Sequence, residues 1–363
     1  MFWLLLLVAW LFADPLSAAE WQFYALGNLG GTSDGFGKTS QALGVSSDGR
    51  HVVGDSLATA GLGVTTGTEA LLWTKPDSRT NLGTLSSENV YSSAKAVSLG
   101  GDVVVGVSQT AEGKRAFRWS RSEGMVSLGV LPGHDESVAW GVSADGTVIV
   151  GKSSSLVEEM AFRWTAGKME AIGDLPGGKK ESAALAISRD GKTIVGHGHS
   201  EDGTEAFAWA ANRMRGLGDL PGQRFASRAF AVSADGKVVA GDSFSEQGIE
   251  AFRWTQETGM VGLGDLPGGV FRSKANGISA DGNAIVGMAT SETGSEAFIW
   301  RPETKMQSLN QLLQQQGLAR QWRLRKACGI SDDGAVIIGV GENPNGETAG
   351  WIAERRRKKQ SDD

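Results

Sequence analysis

The chain is a succession of short apolar runs, each bounded by glycine, aspartate, asparagine or serine, and the runs return in a fixed order. Runs of this length between turn residues predict strands rather than helices. One stretch illustrates the order. Ser227 to Ser233 predicts a first strand, and Ala234-Asp235-Gly236 then forms a hairpin turn. Lys237 to Asp242 predicts a second strand whose centre, Val238-Val239-Ala240, is apolar without alternation and so covered on both faces. A polar loop, Ser243 to Gly248, leads to a third strand, Glu250 to Thr255, in which Phe252 and Trp254 stand two apart and share a face. A fourth strand runs from Met260 through Leu263 and Leu266 and stops at Pro267-Gly268-Gly269. Proline there removes a ladder donor and glycine permits positive φ.

Two landmarks mark the repeats. A Ser-x-Asp-Gly turn places aspartate at 48, 145, 190, 235, 281 and 333, with a degenerate copy at Ser98-Leu99-Gly100-Gly101. Tryptophan recurs at 73, 119, 164, 209, 254, 300 and 351, so both sets number seven, and the central spacing is 45 residues. Four short strands in a unit of roughly 40–45 residues are the pattern of propeller blades. A fourth-strand pattern, Phe23-Tyr24-Ala25-Leu26-Gly27-Asn28-Leu29, comes before any complete unit, and the last unit stops just after Trp351 without one. The expected fold is therefore an all-β, seven-bladed β-propeller of four-stranded blades over residues 20–353. Its ring would be closed by the N-terminal strand completing the last blade, an arrangement that covers an exposed edge. First strands would line the axis and fourth strands lie outside. Small pairs such as Ala139/Gly141 and Ala229/Ala231 fit a crowded axis. The residue between each pair varies: Leu43, Lys95, Trp140, Leu185, Phe230, Asn276 and Cys328. These are expected to pack against the adjacent blade or at the channel mouth.

Composition sharpens this picture in three places. Glycine numbers 52 against 8 prolines and 12 tryptophans, so glycine is turn punctuation rather than a sign of low complexity. A formal net charge of −6 favours neither nucleic acid nor an anionic membrane as partner. A single cysteine, Cys328, allows no intramolecular disulfide, so the fold rests on its core. Residues 1–19 read as an export signal, with an apolar core from Phe2 to Phe12 too short to span a bilayer and small residues at Ser17-Ala18-Ala19. Residues 354–363, which include Arg355 to Lys359, read as a disordered basic tail. The mature chain is expected to be secreted, periplasmic or extracellular, monomeric and without a transmembrane segment.

The runs Glu250-Ala251-Phe252-Arg253-Trp254, Gly262 to Gly269 and Ala231 to Gly236 resemble those of the bacterial "extracellular repeat, HAF family" proteins. The resemblance covers nearly the whole mature chain, from about Glu20 to Ile352. The histidine that gives that family its name is replaced here by Glu69, Arg115, Met160, Glu205, Glu250 or Glu296, and the last unit reads Thr348-Ala349-Gly350-Trp351. The resemblance implies export and repetition; it carries no activity and no functional residues.

Catalytic templates such as HExxH, a P-loop or GxGxxG do not occur. The repeated tryptophans and phenylalanines (117, 162, 207, 252 and 298) are expected between blades, and the Asp-Gly aspartates are expected as turn residues, since one carboxylate per copy makes no calcium loop. His197-Gly198-His199 is a close histidine pair with Glu201 and Asp202 nearby, but it occurs in one repeat only and tetrahedral zinc needs a third protein ligand, so no metal and no cofactor are expected. The candidate contacts lie instead on the loops joining fourth to first strands: Trp322, Arg320, Arg323, Phe225, Arg224, Phe271 and Arg272. A tryptophan between arginines suits stacking on a sugar or gripping an acidic partner. The expectation is a non-catalytic recognition scaffold for an extracellular or envelope polysaccharide or protein. A glycan-cleaving enzyme with carboxylates from different blades and a purely structural surface protein are the alternatives.

Overall fold

A computed structural model describes residues 20–27, 39–60, 64–75, 78–222 and 224–356; the expected export signal and residues 357–363 of the tail lie outside the described residues. The chain is all-β. Its strands form four-stranded antiparallel sheets in chain order, one per repeat. Those of the fifth and sixth repeats are joined by a single parallel bridge, Ile249 to Arg272.

The fifth repeat shows why the sequence folds this way. Its strands are Ser227–Val232, Val239–Phe244, Ile249–Thr255 and Gly259–Gly262. The Ser-x-Asp-Gly turn is a small hydrogen-bonded machine. Ser233 Oγ donates to Asp235 Oδ1 (2.7 Å), the same oxygen accepts from the Lys237 amide (3.1 Å), and the Val238 amide donates to Ser233 Oγ (3.0 Å). Gly236 takes φ 75°, which a side chain would resist. The degenerate copy lacks the aspartate yet keeps the amide of Val103 on Ser98 Oγ (3.0 Å). The aspartates are therefore occupied as turn residues, and Ser143 and Ser188 hold the carboxyls of Asp145 and Asp190 below the usual carboxylate range.

The fourth strand is shorter than the sequence predicts. It ends at Gly262, and Leu263 and Leu266 anchor the following segment as buried residues outside it. The Leu263 amide donates to the carbonyl of Ala251 (2.8 Å), as Leu82, Leu128 and Leu217 do in their repeats. The first strand of the sixth repeat begins earlier than expected, at Gly268, so Phe271 and Arg272 belong to a strand and not to a loop.

Adjacent sheets meet at seams of repeated residues. Between the fourth and fifth sheets, Val195, Ala206, Leu217, Leu220, Ala229, Val239, Phe252 and Trp254 form one buried cluster. A serine staples the seam: Ser227 Oγ donates to the Gly218 carbonyl (2.5 Å) and accepts from the Ala206 amide (2.9 Å). Ser92, Ser137, Ser182 and Ser273 repeat both bonds. Between the sixth and seventh sheets the staple is replaced by a short helix, Leu309–Gln315, whose Asn310 side chain exchanges two hydrogen bonds with the backbone of Leu324.

The N-terminal strand Glu20–Ala25 pairs antiparallel with the C-terminal strand Thr348–Arg356, from Glu20 opposite Arg356 to Ala25 opposite Trp351. The Leu26 amide then donates to the Gly350 carbonyl (2.8 Å), the bond that Leu263 makes inside its own repeat. Residues 354–356 are thereby held in a sheet, three residues beyond the boundary that the basic tail suggested. Leu26, Ala42, Trp73, Val336 and Ile352 share one cluster between the first and last sheets.

Candidate functional site

The first strands of the seven repeats line one cavity of about 550 Å³. Each carries a register shift against the second strand at the same place, between Ala42/Gly44, Ala94/Ala96, Ala139/Gly141, Ala184/Ala186, Ala229/Ala231, Ala275/Gly277 and Ala327/Gly329. The residue left over at each bulge is the one that varies between copies: Leu43, Lys95, Trp140, Leu185, Phe230, Asn276 or Cys328. All of these line the cavity. The sequence reading assigned them to packing; a bulge re-aims a side chain and here gathers all of them around one axis.

A glycine makes the bulge sterically possible. At Gly241, in the middle of the second strand, an added Cβ would lie 1.9 Å from the Arg228 carbonyl oxygen and 2.8 Å from the Phe252 ring. Only a residue without a side chain admits that close approach. Gly54, Gly106, Gly151, Gly196, Gly287 and Gly339 occupy the same position in the other repeats. A glycine inside an otherwise apolar strand is the signal in the sequence that marks the bulge opposite it.

The end of the cavity at the Ser-x-Asp-Gly turns is drawn together. Backbone hydrogen bonds link the second residue of one turn to that of the next: Leu99 to Ala144 (3.0 Å), Ala144 to Arg189 (3.1 Å), Ala234 to Ala280 (3.1 Å), Ala280 to Asp332 (3.0 Å) and Asp332 to Ser47 (2.9 Å). Across them Arg189 Nη2 lies 2.5 Å from Asp332 Oδ2, joining the fourth repeat to the seventh. Burial pushes the Asp332 carboxyl up, against the pull of Arg189.

The opposite end is rich in cations. Arg228 grips Asp242 through two bonds of 3.1 Å, Lys152 pairs with Glu159, and Lys95 Nζ donates to Ser93 Oγ (2.8 Å), which itself donates to Asp55. Lys274 Nζ lies 3.6 Å from the centre of the Phe230 ring, and Lys152 Nζ 5.9 Å from that of Trp140. Burial, with Arg228 and Lys326 nearby, lowers Lys274 to about 8, while Asp242 opposes. Burial also depresses Lys95 and, at the neighbouring His197, brings the imidazole down to about 4.

The loop residues singled out from the sequence are not gathered in one place by any contact of this kind. Trp322 is half-buried and meets Phe23 edge-on at 5.2 Å, packed on the core cluster of the last two sheets. Arg323 binds Glu342 (3.2 Å) and the Thr293 carbonyl (2.8 Å), and Arg320 donates to the Gly317 carbonyl (3.2 Å). Arg224 lies over Phe244 at 4.7 Å, beside the half-buried Phe225. The Arg272 amide, next to the half-buried Phe271, donates to Asp265 (2.5 Å). Elsewhere His134 Nε2 meets Glu158 at 3.2 Å.

Four-stranded sheets, one per repeat, with first strands about a common cavity make the chain a β-propeller. Two solved structures share the fold. The β-propeller domain of the Trilobed protease from Pyrococcus furiosus has TM-score 0.56 at 10% identity, covering 91% of this chain and 100% of that one. Oligogalacturonate lyase from Vibrio parahaemolyticus has TM-score 0.56 at 10% identity, covering 93% and 97%. TolB from Acinetobacter baumannii has TM-score 0.49 at 14% identity, covering 72% of this chain; the present chain spans only 63% of its length. At such identities the likeness extends to the fold alone. No protein-family model and no curated protein matches the sequence. Among the described residues no helix is long and apolar enough to cross a membrane.

Proposed function

We propose that the protein is an exported, non-catalytic recognition scaffold: a closed seven-bladed ring that presents one end to an extracellular or envelope ligand. The observation that carries the reading is the contrast inside each first strand. Its flanking residues are small and repeated, whereas the bulged residue between them differs from copy to copy and faces a shared cavity. A merely structural ring has no use for six different kinds of side chain at seven equivalent positions. The pairing of Glu20–Ala25 with the last sheet and the cluster between first and last sheets support closure. Export rests on the apolar stretch at residues 2–12, and kinship with the HAF repeat proteins rests on the repeated runs.

Binding is favoured over catalysis because the carboxylates around the cavity are engaged: Asp242 by Arg228, Asp332 by Arg189, Glu159 by Lys152 and Asp55 by Ser93. A glycosidase needs two carboxylates about 5–10 Å apart and available to substrate and water. The test is saturable binding of the purified protein to a broad glycan array, with Trp322→Ala in parallel. Binding lost in that variant would place recognition on the outer loops; binding retained would move it inward. A blank array would overturn the polysaccharide version and leave a protein ligand.

A further inference from the structure

The geometry points to the axial cavity as a binding site for a small, multiply charged anion, held by Lys274 and Lys326 with Trp140 and Phe230 as walls. This rests on the reading of the ring as a recognition scaffold and names the chemistry of its ligand.

The charge inventory carries the argument. At the end away from the turns, Arg228, Lys152 and Lys95 are each tied, directly or through Ser93, to an acidic partner. Lys274 and Lys326 form no ion pair among the described residues. Lys326 and Lys95 line the cavity itself, and Lys274 stands over Phe230, which also lines it. These cations lie close enough to repel one another, and burial further disfavours the charge of Lys274 and Lys95. Two surplus ammonium groups in a recess are an unfavourable arrangement that a bound anion relieves.

The shape is consistent with the charge. A volume of about 550 Å³ falls in the range of small-ligand sites, with aromatic walls and a few polar groups such as Asn276. The Arg189–Asp332 pair spans the turn end, and Lys95 and Lys326 line the cavity. Carboxylated saccharides and phosphorylated compounds share the required chemistry.

Calorimetric titration of the full chain in low salt, with alginate trisaccharide, sodium triphosphate and the uncharged maltotriose as probes, tests this. At least one anion should bind saturably, more weakly as salt is raised, and about 10-fold or more weakly in a Lys274→Met/Lys326→Met variant that keeps its thermal midpoint. Lys237→Met, an exposed turn lysine, should bind as the parent does. Alginate alone binding assigns a carboxylated saccharide, and triphosphate alone assigns a phosphate compound. Failure of both anions to bind, or equal binding by the double variant, would overturn the proposal. Glycan-array binding that survives the double variant would overturn the axial site and leave the scaffold reading standing.

Discussion

The seams between sheets and the lining of the axis are built from the same strands, yet they obey opposite rules. At a seam the same residues return in copy after copy: a phenylalanine such as Phe252, a tryptophan such as Trp254, and a stapling serine such as Ser227, all buried. Three residues beyond that serine on the first strand, at the bulge, no two consecutive copies agree. Seams must solve one packing problem repeatedly, because each sheet buries its face only against a neighbour. The lining meets a void, so its side chains are free of that constraint. Repetition marks what holds neighbouring sheets together, and its interruption marks the positions on which the proposed recognition rests.

The comparison is sharpest at the glycine that separates the two regions. Gly241→Ala should cost more than about 3 kcal/mol, because its Cβ would overlap a backbone carbonyl that cannot retreat without undoing the bulge. Urea unfolding reads the loss, and a near-neutral result would mean that the bulge is soft. Phe252→Ala, at a seam, should cost ~3–5 kcal/mol through lost burial and a residual cavity.

The mouth should appear in the pH dependence of stability. His197 is half-buried, and desolvation lowers its imidazole from 6.5 to about 4. Between those values the unfolded chain binds the proton and the folded protein does not, so stability falls as pH drops from 6.5 to 4. The effect is at most about 3 kcal/mol. A His197→Asn variant should show a flatter slope over that window; an unchanged slope would assign the acid sensitivity elsewhere. Ser227→Ala leaves the Ala206 amide and the Gly218 carbonyl without a partner and should cost ~1–3 kcal/mol, lowering the unfolding midpoint. Leu185→Ala, in the lining, should cost less than about 1 kcal/mol. A loss as large as that of Phe252→Ala would show that the lining is core and would erase the distinction drawn here.

Much of the fold was legible because its signals are local. The turn at Ser233-Ala234-Asp235-Gly236 needs only its own hydroxyl, carboxylate and glycine, so sequence identifies it at each copy, and the alternation around Phe252 and Trp254 identifies the third strand. The candidate site was legible in its positions and not in its meaning. Trp322 drew attention as an aromatic between arginines, but the N-terminal strand brings Phe23 against it. Nothing within the loop itself announces that contact.

The sequence by itself determined the strands, their order and the repeat, since each follows from hydrophobic period and turn chemistry within a few residues. It also named the seven varying positions without saying where they point. Only the tertiary structure decided that, because a one-residue bulge reverses the face on which a side chain emerges. Only the tertiary structure, too, set Arg189 against Asp332 and left Lys274 and Lys326 without an ion pair among the described residues, since these relations span repeats far apart in the chain. Charge at such distances in sequence is fixed by geometry, not by neighbours.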